Sequence, residues 1–278
     1  MENSGIIFRD PQGSEVDIRE IIHNRNVKAI FVDLGDTLVE MRREEKEKII
    51  RKINNKCNLK IDLATFDRKI REEWKCRESK QELDRIKNTT KPYMEKAYWL
   101  EFYTCILEKL GARRRYPDLV KWLANVQSNP KSFGPMPGIE FFLSELAELQ
   151  QTGIQTGIIS NAFPSAREIV DKLFPVKFYP VILSYEYNSV KPESNIYRKA
   201  ARMAKVRPGE ILFVDDRLSF VQGASEFGMQ AVLIEKNPTV ISSDRGAGFD
   251  SAKQSEQEPG YVGPELFSPK YFLLRLGT

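Results

Sequence analysis

Apolar residues fall into two different rhythms along this chain. From Lys28 the stretch KAIFVDL is a short, nearly unbroken apolar run ending on an acid, and it predicts a buried strand. From about Arg42 the spacing changes to threes and fours. REEKEKIIRKINNK, the long DRKIREEWKCRESKQELDRI and YMEKAYWLEFYTCILEKL each predict one helix. In the third, Tyr93, Ala97, Leu100, Leu107 and Leu110 share a face with Trp99 and Phe102 beside it, and the stripe reads as helix core. Upstream, IREIIHNRN predicts a short amphipathic helix.

The second half follows another rule. After SNPKSFGPMPG, where prolines and glycines punctuate the chain, helices and short apolar runs alternate. GIEFFLSELAELQ, PSAREIVDKLF, PESNIYRKAARMA and SFVQGASEFG predict helices; TGIIS, FYPVILSY, EILFVDD and QAVLIE predict strands. Regular alternation implies right-handed crossovers and a doubly wound parallel sheet, an α/β fold. The strand near residue 30 must join that sheet, which makes the helical residues between them an insertion. The division expected is an N-terminal extension (1–27), a core (28–41 and 134–236), an inserted all-helical domain (42–133), and a final segment (237–278). In that segment a stretch rich in Ser, Gly, Asp and Gln predicts loop or disorder, and the apolar ELFSPKYFLLRLGT is expected to dock on the protein.

Composition narrows the function classes. Among 278 residues, 41% hydrophobic and 29% charged, no window nears the roughly 18 apolar residues of a membrane span. The N-terminus lacks a basic and an apolar region, so a cytoplasmic protein is expected. The net charge of +4 comes from 43 basic and 39 acidic residues, largely interleaved, which argues against a nucleic-acid partner. Arg113, Arg114 and Arg115 read as solvated surface. Cys57, Cys76 and Cys105 have no paired spacing and are expected as reduced thiols. The single histidine, His23, is expected on a helix surface.

Polar residues gather where the predicted strands end. Asp33 follows KAIFV, Ser160 and Asn161 follow TGII, Tyr185 and Glu186 follow VILS, and Asp215 and Asp216 follow ILFV, with Lys191 a short loop beyond the third. In open parallel sheets ligands bind at those ends. Two carboxylates from adjacent strands can hold Mg²⁺, which takes hard oxygen ligands. With a lysine and a hydroxyl they can neutralise a phosphoryl group, leaving one carboxylate to attack phosphorus.

At this point the chain resembles the haloacid dehalogenase-like hydrolases from about Val27 to Ile234. The likeness rests on DLGDTL at 33–38, IISN at 158–161, SVKPESNIY around Lys191, and FVDDRLSFVQGASEFGM at 213–229. It implies a Rossmann-like core, a helical cap inserted after the first motif, and Mg²⁺-dependent chemistry through a phosphoaspartate on a small phosphorylated substrate. Asp33 then corresponds to the nucleophile and a metal ligand, Lys191 to the charge neutraliser, and Asp216 to a metal ligand supported by Asp215. Thr37, Ser160 and Asn161 correspond to phosphate or loop-positioning contacts, and Gly35 offers its backbone carbonyl to the metal.

One position departs from the pattern. Phosphatases of this family commonly place a second aspartate, a general acid and base, two residues after the nucleophile; here that residue is Gly35, and Asp36 comes one later. Successive residues point differently, so Asp36 reads as outside the chemistry. Three readings remain open: a phosphatase that works without this acid, a binding protein that keeps the fold without turnover, and a hydrolase of carbon–halogen or carbon–phosphorus bonds.

Overall fold

A computed structural model of the chain describes residues 6–77, 79–174 and 177–236. The expectations for residues 237–278 lie outside them. The strands are β1 (Ile6–Arg9), β2 (Ala29–Val32), β3 (Val39–Met41), β4 (Phe133–Pro135), β5 (Gln155–Ser160), β6 (Val181–Leu183), β7 (Ile211–Asp215) and β8 (Gln230–Lys236). Six of them form one sheet in the order β1-β8-β7-β2-β5-β6. All its pairings are parallel except that of β1 with β8.

The central strand is β2, and its residues alternate between two apolar layers. Ile30 and Val32 face a core with Ile158, Leu212 and Val214, while Ala29 and Phe31 face another with Ile159, Ile211 and Phe213. Burial on both faces is why these strands read as continuous apolar runs instead of alternating ones. The first layer is covered by α1 (Ile18–Asn24), α7 (Glu140–Gln151) and α8 (Ala166–Leu173). The second is covered by α10 (Ser194–Ala204) and α11 (Leu218–Glu226).

Between β3 and β4, which pair antiparallel with each other, lie α2 (Arg43–Cys57), α3 (Leu63–Cys76), α4 (Lys80–Asn88), α5 (Pro92–Lys109) and α6 (Pro117–Gln127). They surround an apolar core of their own, which one residue of the following core segment, Phe163, enters.

Four details differ from the sequence reading. The long helix expected from Asp67 to Ile86 is two helices. Ser79 accepts the Glu82 N–H and so starts α4 anew, and Arg77 turns inward to pair with Glu73, Glu82 and Glu101. On α5 the buried face is Tyr98, Trp99, Phe102, Tyr103, Ile106 and Leu107, whereas Tyr93 is 74% exposed. The aromatic side chains, not the leucines alone, set that face, because they carry the most apolar area. The run FYPVILSY yields only three strand residues, with Ser184–Tyr187 forming a short helix, α9. Residues 6–9, placed in an extension, are an edge strand of the main sheet. His23 is exposed on α1, the three arginines at 113–115 are exposed, and the cysteines are free thiols.

Gly157 lies in β5 where a Cβ would stand 2.5 Å from the Phe31 ring and 2.6 Å from the Pro180 carbonyl oxygen. Around Gly35 a Cβ would meet nothing within 4 Å. Gly157→Ala is therefore expected to cost about 1–3 kcal/mol through overpacking, and Gly35→Ala to stay within about 0.5 kcal/mol. Urea unfolding of the two variants checks this; equal midpoints would contradict the packing described.

Candidate functional site

The sheet reverses its direction of growth at β2, with β5 on one side and β7 on the other. The crevice above such a switch point is where an open parallel sheet presents its loops. Asp33 follows β2 directly, and its N–H donates to the Val214 carbonyl at 2.9 Å, so the β2–β7 ladder itself sets where the carboxylate emerges. Asp215 ends β7, and Asp216 comes next.

These three aspartates converge. Each can present an oxygen such that the three lie within 4.8 Å of one another. Lys191, only 1% exposed, reaches between them: its Nζ donates to Asp33 Oδ1 and Asp215 Oδ2, each at 2.5 Å. The other Asp215 oxygen accepts the Arg217 N–H at 2.9 Å. Asp216 accepts from the Thr37 hydroxyl at 3.3 Å.

Asn161 holds the lysine loop. Its amide donates to the Lys191 carbonyl at 3.0 Å and accepts the Lys191 N–H at 2.7 Å, so both of its ends are used by the backbone of one residue. Ser184 does similar work one residue further on: its hydroxyl accepts the Ala162 N–H and donates to the Ala162 carbonyl. Ser160, Asn161, Gly35 and Asp216 line a cavity of about 1040 Å³, and Asp36 lines it too. Asp33 and Lys191 are buried and are not among its lining residues. Asp36 adopts the left-handed conformation, φ +59°, which aspartate tolerates better than most residues, and its N–H donates to the Val39 carbonyl.

Two strand-end residues do not join this group. Tyr185 and Glu186 lie on α9, where Glu186 forms a bidentate pair with Arg167 and accepts the Tyr185 hydroxyl.

One ammonium against three carboxylates leaves the cluster short of positive charge. Burial, added to the neighbouring Asp215, Asp33 and Asp36 charges, raises Asp216 well above the usual carboxylate range. Burial also pushes Asp215 up to about 7, with Asp33 adding to it and Lys191 opposing. For Lys191, burial works against its charge, but Asp215 and Asp33 outweigh it and hold the ammonium above its ordinary value. Hard oxygen donors, close spacing and an uncompensated negative charge fit a divalent cation of the Mg²⁺ kind.

Two contacts that the sequence did not signal join this site to the inserted helices. Glu95 of α5, 2% exposed, accepts from the Ser165 N–H and hydroxyl and from Trp99 Nε1. Phe163 packs on Tyr98 and Trp99 with ring centroids 4.7 and 4.8 Å apart. A glutamate within a helical pattern looks like any solvated charge until its partner, seventy residues away in the chain, is known.

The sequence pattern of the haloacid dehalogenase-like hydrolases matches residues 27–228. The chain is 26% identical over 220 residues to a glyceraldehyde 3-phosphate phosphatase of Pyrococcus furiosus, spanning 75% of this chain and 80% of that protein. A glyceraldehyde 3-phosphate phosphatase of Methanopyrus kandleri is 28% identical over 139 residues, 48% of this chain and 58% of that protein. Among solved structures, the L-2-haloacid dehalogenase of Xanthobacter autotrophicus has the same fold, with a TM-score of 0.50 at 19% identity over 74% of this chain and 76% of that one.

The raised carboxyls make a pH prediction for protein kept in chelator. An unfolded aspartate loses its proton near 3.9, whereas folded Asp215 holds one to about 7. The folded state therefore binds more protons in this window, and the contribution is present below the unfolded value and lost as pH rises through the folded one. The melting temperature of the native protein, measured relative to that of Asp215→Asn, is expected to fall between about pH 4 and 7. A pH-independent difference would mean that burial does not hold a proton on Asp215 in the folded state.

Proposed function

The chain belongs to the haloacid dehalogenase-like hydrolases, and on that premise we propose that it is a Mg²⁺-dependent hydrolase of phosphorylated small molecules, acting through an aspartyl phosphate on Asp33. The observation that carries this reading is the meeting of Asp33, Asp215 and Asp216 with Lys191 at one switch point of the sheet. The names of the two curated relatives described above, both phosphatases, support the same reaction class. Displacement at a carbon–halogen bond needs no divalent cation, so a cluster of three carboxylates suited to holding one argues against a haloacid as substrate.

Asp33, Asp216 and the Gly35 carbonyl would hold Mg²⁺, with Asp215 behind them, and the bound ion would supply positive charge to the phosphoryl oxygens. Asp33 is the nucleophile. A bond forms from its carboxylate to phosphorus, the ester P–O bond breaks, and the electron pair leaves on the substrate oxygen. Lys191 holds the Asp33 carboxylate in place through the hydrogen bond that its Nζ donates to Oδ1. Ser160, in the cavity wall, donates its hydroxyl to the phosphoryl group. Thr37 and Asn161 are positioning residues, one steadying Asp216 and the other the Lys191 loop. Water then attacks phosphorus, releasing phosphate, a proton and free Asp33.

The departing oxygen still needs a proton when the leaving group is an alcohol. Gly35 has none to give, so solvent supplies it. This site is consequently suited to leaving groups that are stable as anions. Helices α2–α6 act as the cap over the cavity and choose the substrate.

Phosphate release from acetyl phosphate with and without Mg²⁺ tests the assignment. Release should require the ion, and Asp33→Asn, nearly isosteric but a poor nucleophile, should reduce it to background; turnover by that variant at the native rate would overturn the phosphoaspartyl route.

The missing acid gives a second, sharper expectation. The native protein should hydrolyse acetyl phosphate far faster than ethyl phosphate, two substrates of similar size. Gly35→Asp, for which the site has room, should raise ethyl phosphate turnover by up to about 10² to 10⁴, the range a positioned general acid contributes. A folded, Mg²⁺-binding variant with no gain on ethyl phosphate would show that the proton comes from elsewhere, and Asp36→Asn would then be expected to lose it.

A further inference from the structure

Resting on the hydrolase reading above, we propose that the natural substrate is a phosphorylated molecule whose other half is a large, apolar, ring-bearing body, held against an aromatic wall raised by α3 and α5. The cavity that begins at Gly35, Ser160 and Asp216 continues upward to Phe66, Ile70 and Trp74 of α3, and to Trp99 and Phe102 of α5. Its volume, about 1040 Å³, stands at the upper end of the roughly 300–1,000 Å³ typical of pockets for drug-sized ligands. A three-carbon phosphate would occupy only the polar end.

The wall is built to hold rings. Phe66, Ile70 and Trp74 follow one another at intervals of four on α3, so they form a single stripe facing the cavity. Trp74 meets Trp99 edge to face at 5.8 Å and 84°, and Phe102 at 5.1 Å. Phe163 closes on Trp99 from the core side. Such mutually braced rings are already ordered, so a ligand need not immobilise them. Ile70 and Trp74 are only partly buried, although the rest of the stripe is sealed. Apolar area left open toward a reaction centre is surface for a ligand to cover.

The polar residues of the wall point to the same class. Lys46 is engaged by Asp67 at 3.4 Å and Glu40 at 4.0 Å. Arg71 stands exposed. The side of the cavity formed by α3 and α5 thus presents rings, with Lys46 already paired and Arg71 at its exposed edge.

The test compares two acyl phosphates with similar leaving groups, acetyl phosphate and naphthylacetyl phosphate, and follows phosphate release in Mg²⁺. The naphthyl compound is expected to show a kcat/KM roughly 100-fold higher, given that one methylene in a fitted apolar pocket is already worth about 10- to 200-fold. Trp74→Ala should bring the two values together. Equal kcat/KM values in the native protein, with acetyl phosphate turned over, would overturn the aromatic wall and leave the hydrolase reading intact. Absence of turnover on both would sink the hydrolase reading. Calorimetric binding of naphthylmethylphosphonate against methylphosphonate then decides the wall by itself: tighter binding of the ring compound that is lost in Trp74→Ala supports it, and equal binding refutes it.

Discussion

The site depends on one buried ammonium set among three carboxylates. Asp33 and Asp215 emerge from neighbouring strands whose register holds them side by side, and Lys191 bonds to both. Like charges at this spacing would drive the strand ends apart or force protonation, and a single lysine offsets only part of that cost. The remaining deficit appears as the raised carboxyls of Asp215 and Asp216. Removing one partner of a buried pair typically costs about 3–5 kcal/mol, so Lys191 is as much a structural requirement as a chemical one. The charge deficit is in this sense a local instability in the core that the sheet around it supports.

That constraint spreads outward through loops. Lys191 can stand between the aspartates only because Asn161 grips its backbone at both the N–H and the carbonyl, and Asn161 is placed by the end of β5. The same loop carries Phe163 into the core of the inserted helices and offers Ser165 to buried Glu95. On the other side, Lys87 of α4 pairs with Glu193, two residues beyond Lys191, at 3.1 Å. Glu193 in turn accepts from Ser189 and from the Val190 N–H. The helices above the cavity are therefore tied to the two loops that carry Ser160 and Lys191. A shift of these helices would reach Asn161 and Lys191 through packed side chains and hydrogen bonds.

Much of this was legible in the sequence, for a physical reason particular to each element. Strands buried on both faces must be apolar throughout, so AIFV, TGIIS and ILFVD announced themselves, and their alternation with helical patterns required a parallel sheet. A polar residue at the end of such a strand has few structural reasons to recur at strand after strand, which is why Asp33, Ser160, Asp215 and Asp216 stood out together. Gly35 could be read as a missing side chain because backbone chemistry survives without one and proton transfer does not. Those features depend on residue type and local period, and both are written along the chain.

What only the tertiary structure decided are the pairings between distant segments. That Arg77 turns inward was not evident along the chain, since besides the nearby Glu73 and Glu82 it pairs with Glu101 of α5. The periodicity of α5 was visible, yet which of several possible faces was buried depended on what packed against it. Residues 6–9 became an edge strand only because β8 presents a free edge to them. Tyr185 and Glu186 ended a predicted strand just as convincingly as Asp33 did, but the chain turns into α9 there and directs them to Arg167. The charge state of the cluster, too, exists only once three carboxylates are brought within 4.8 Å and shut away from water. Sequence determines which groups are available and how each segment is inclined to fold; proximity, and the desolvation that comes with it, is a property of the assembled chain.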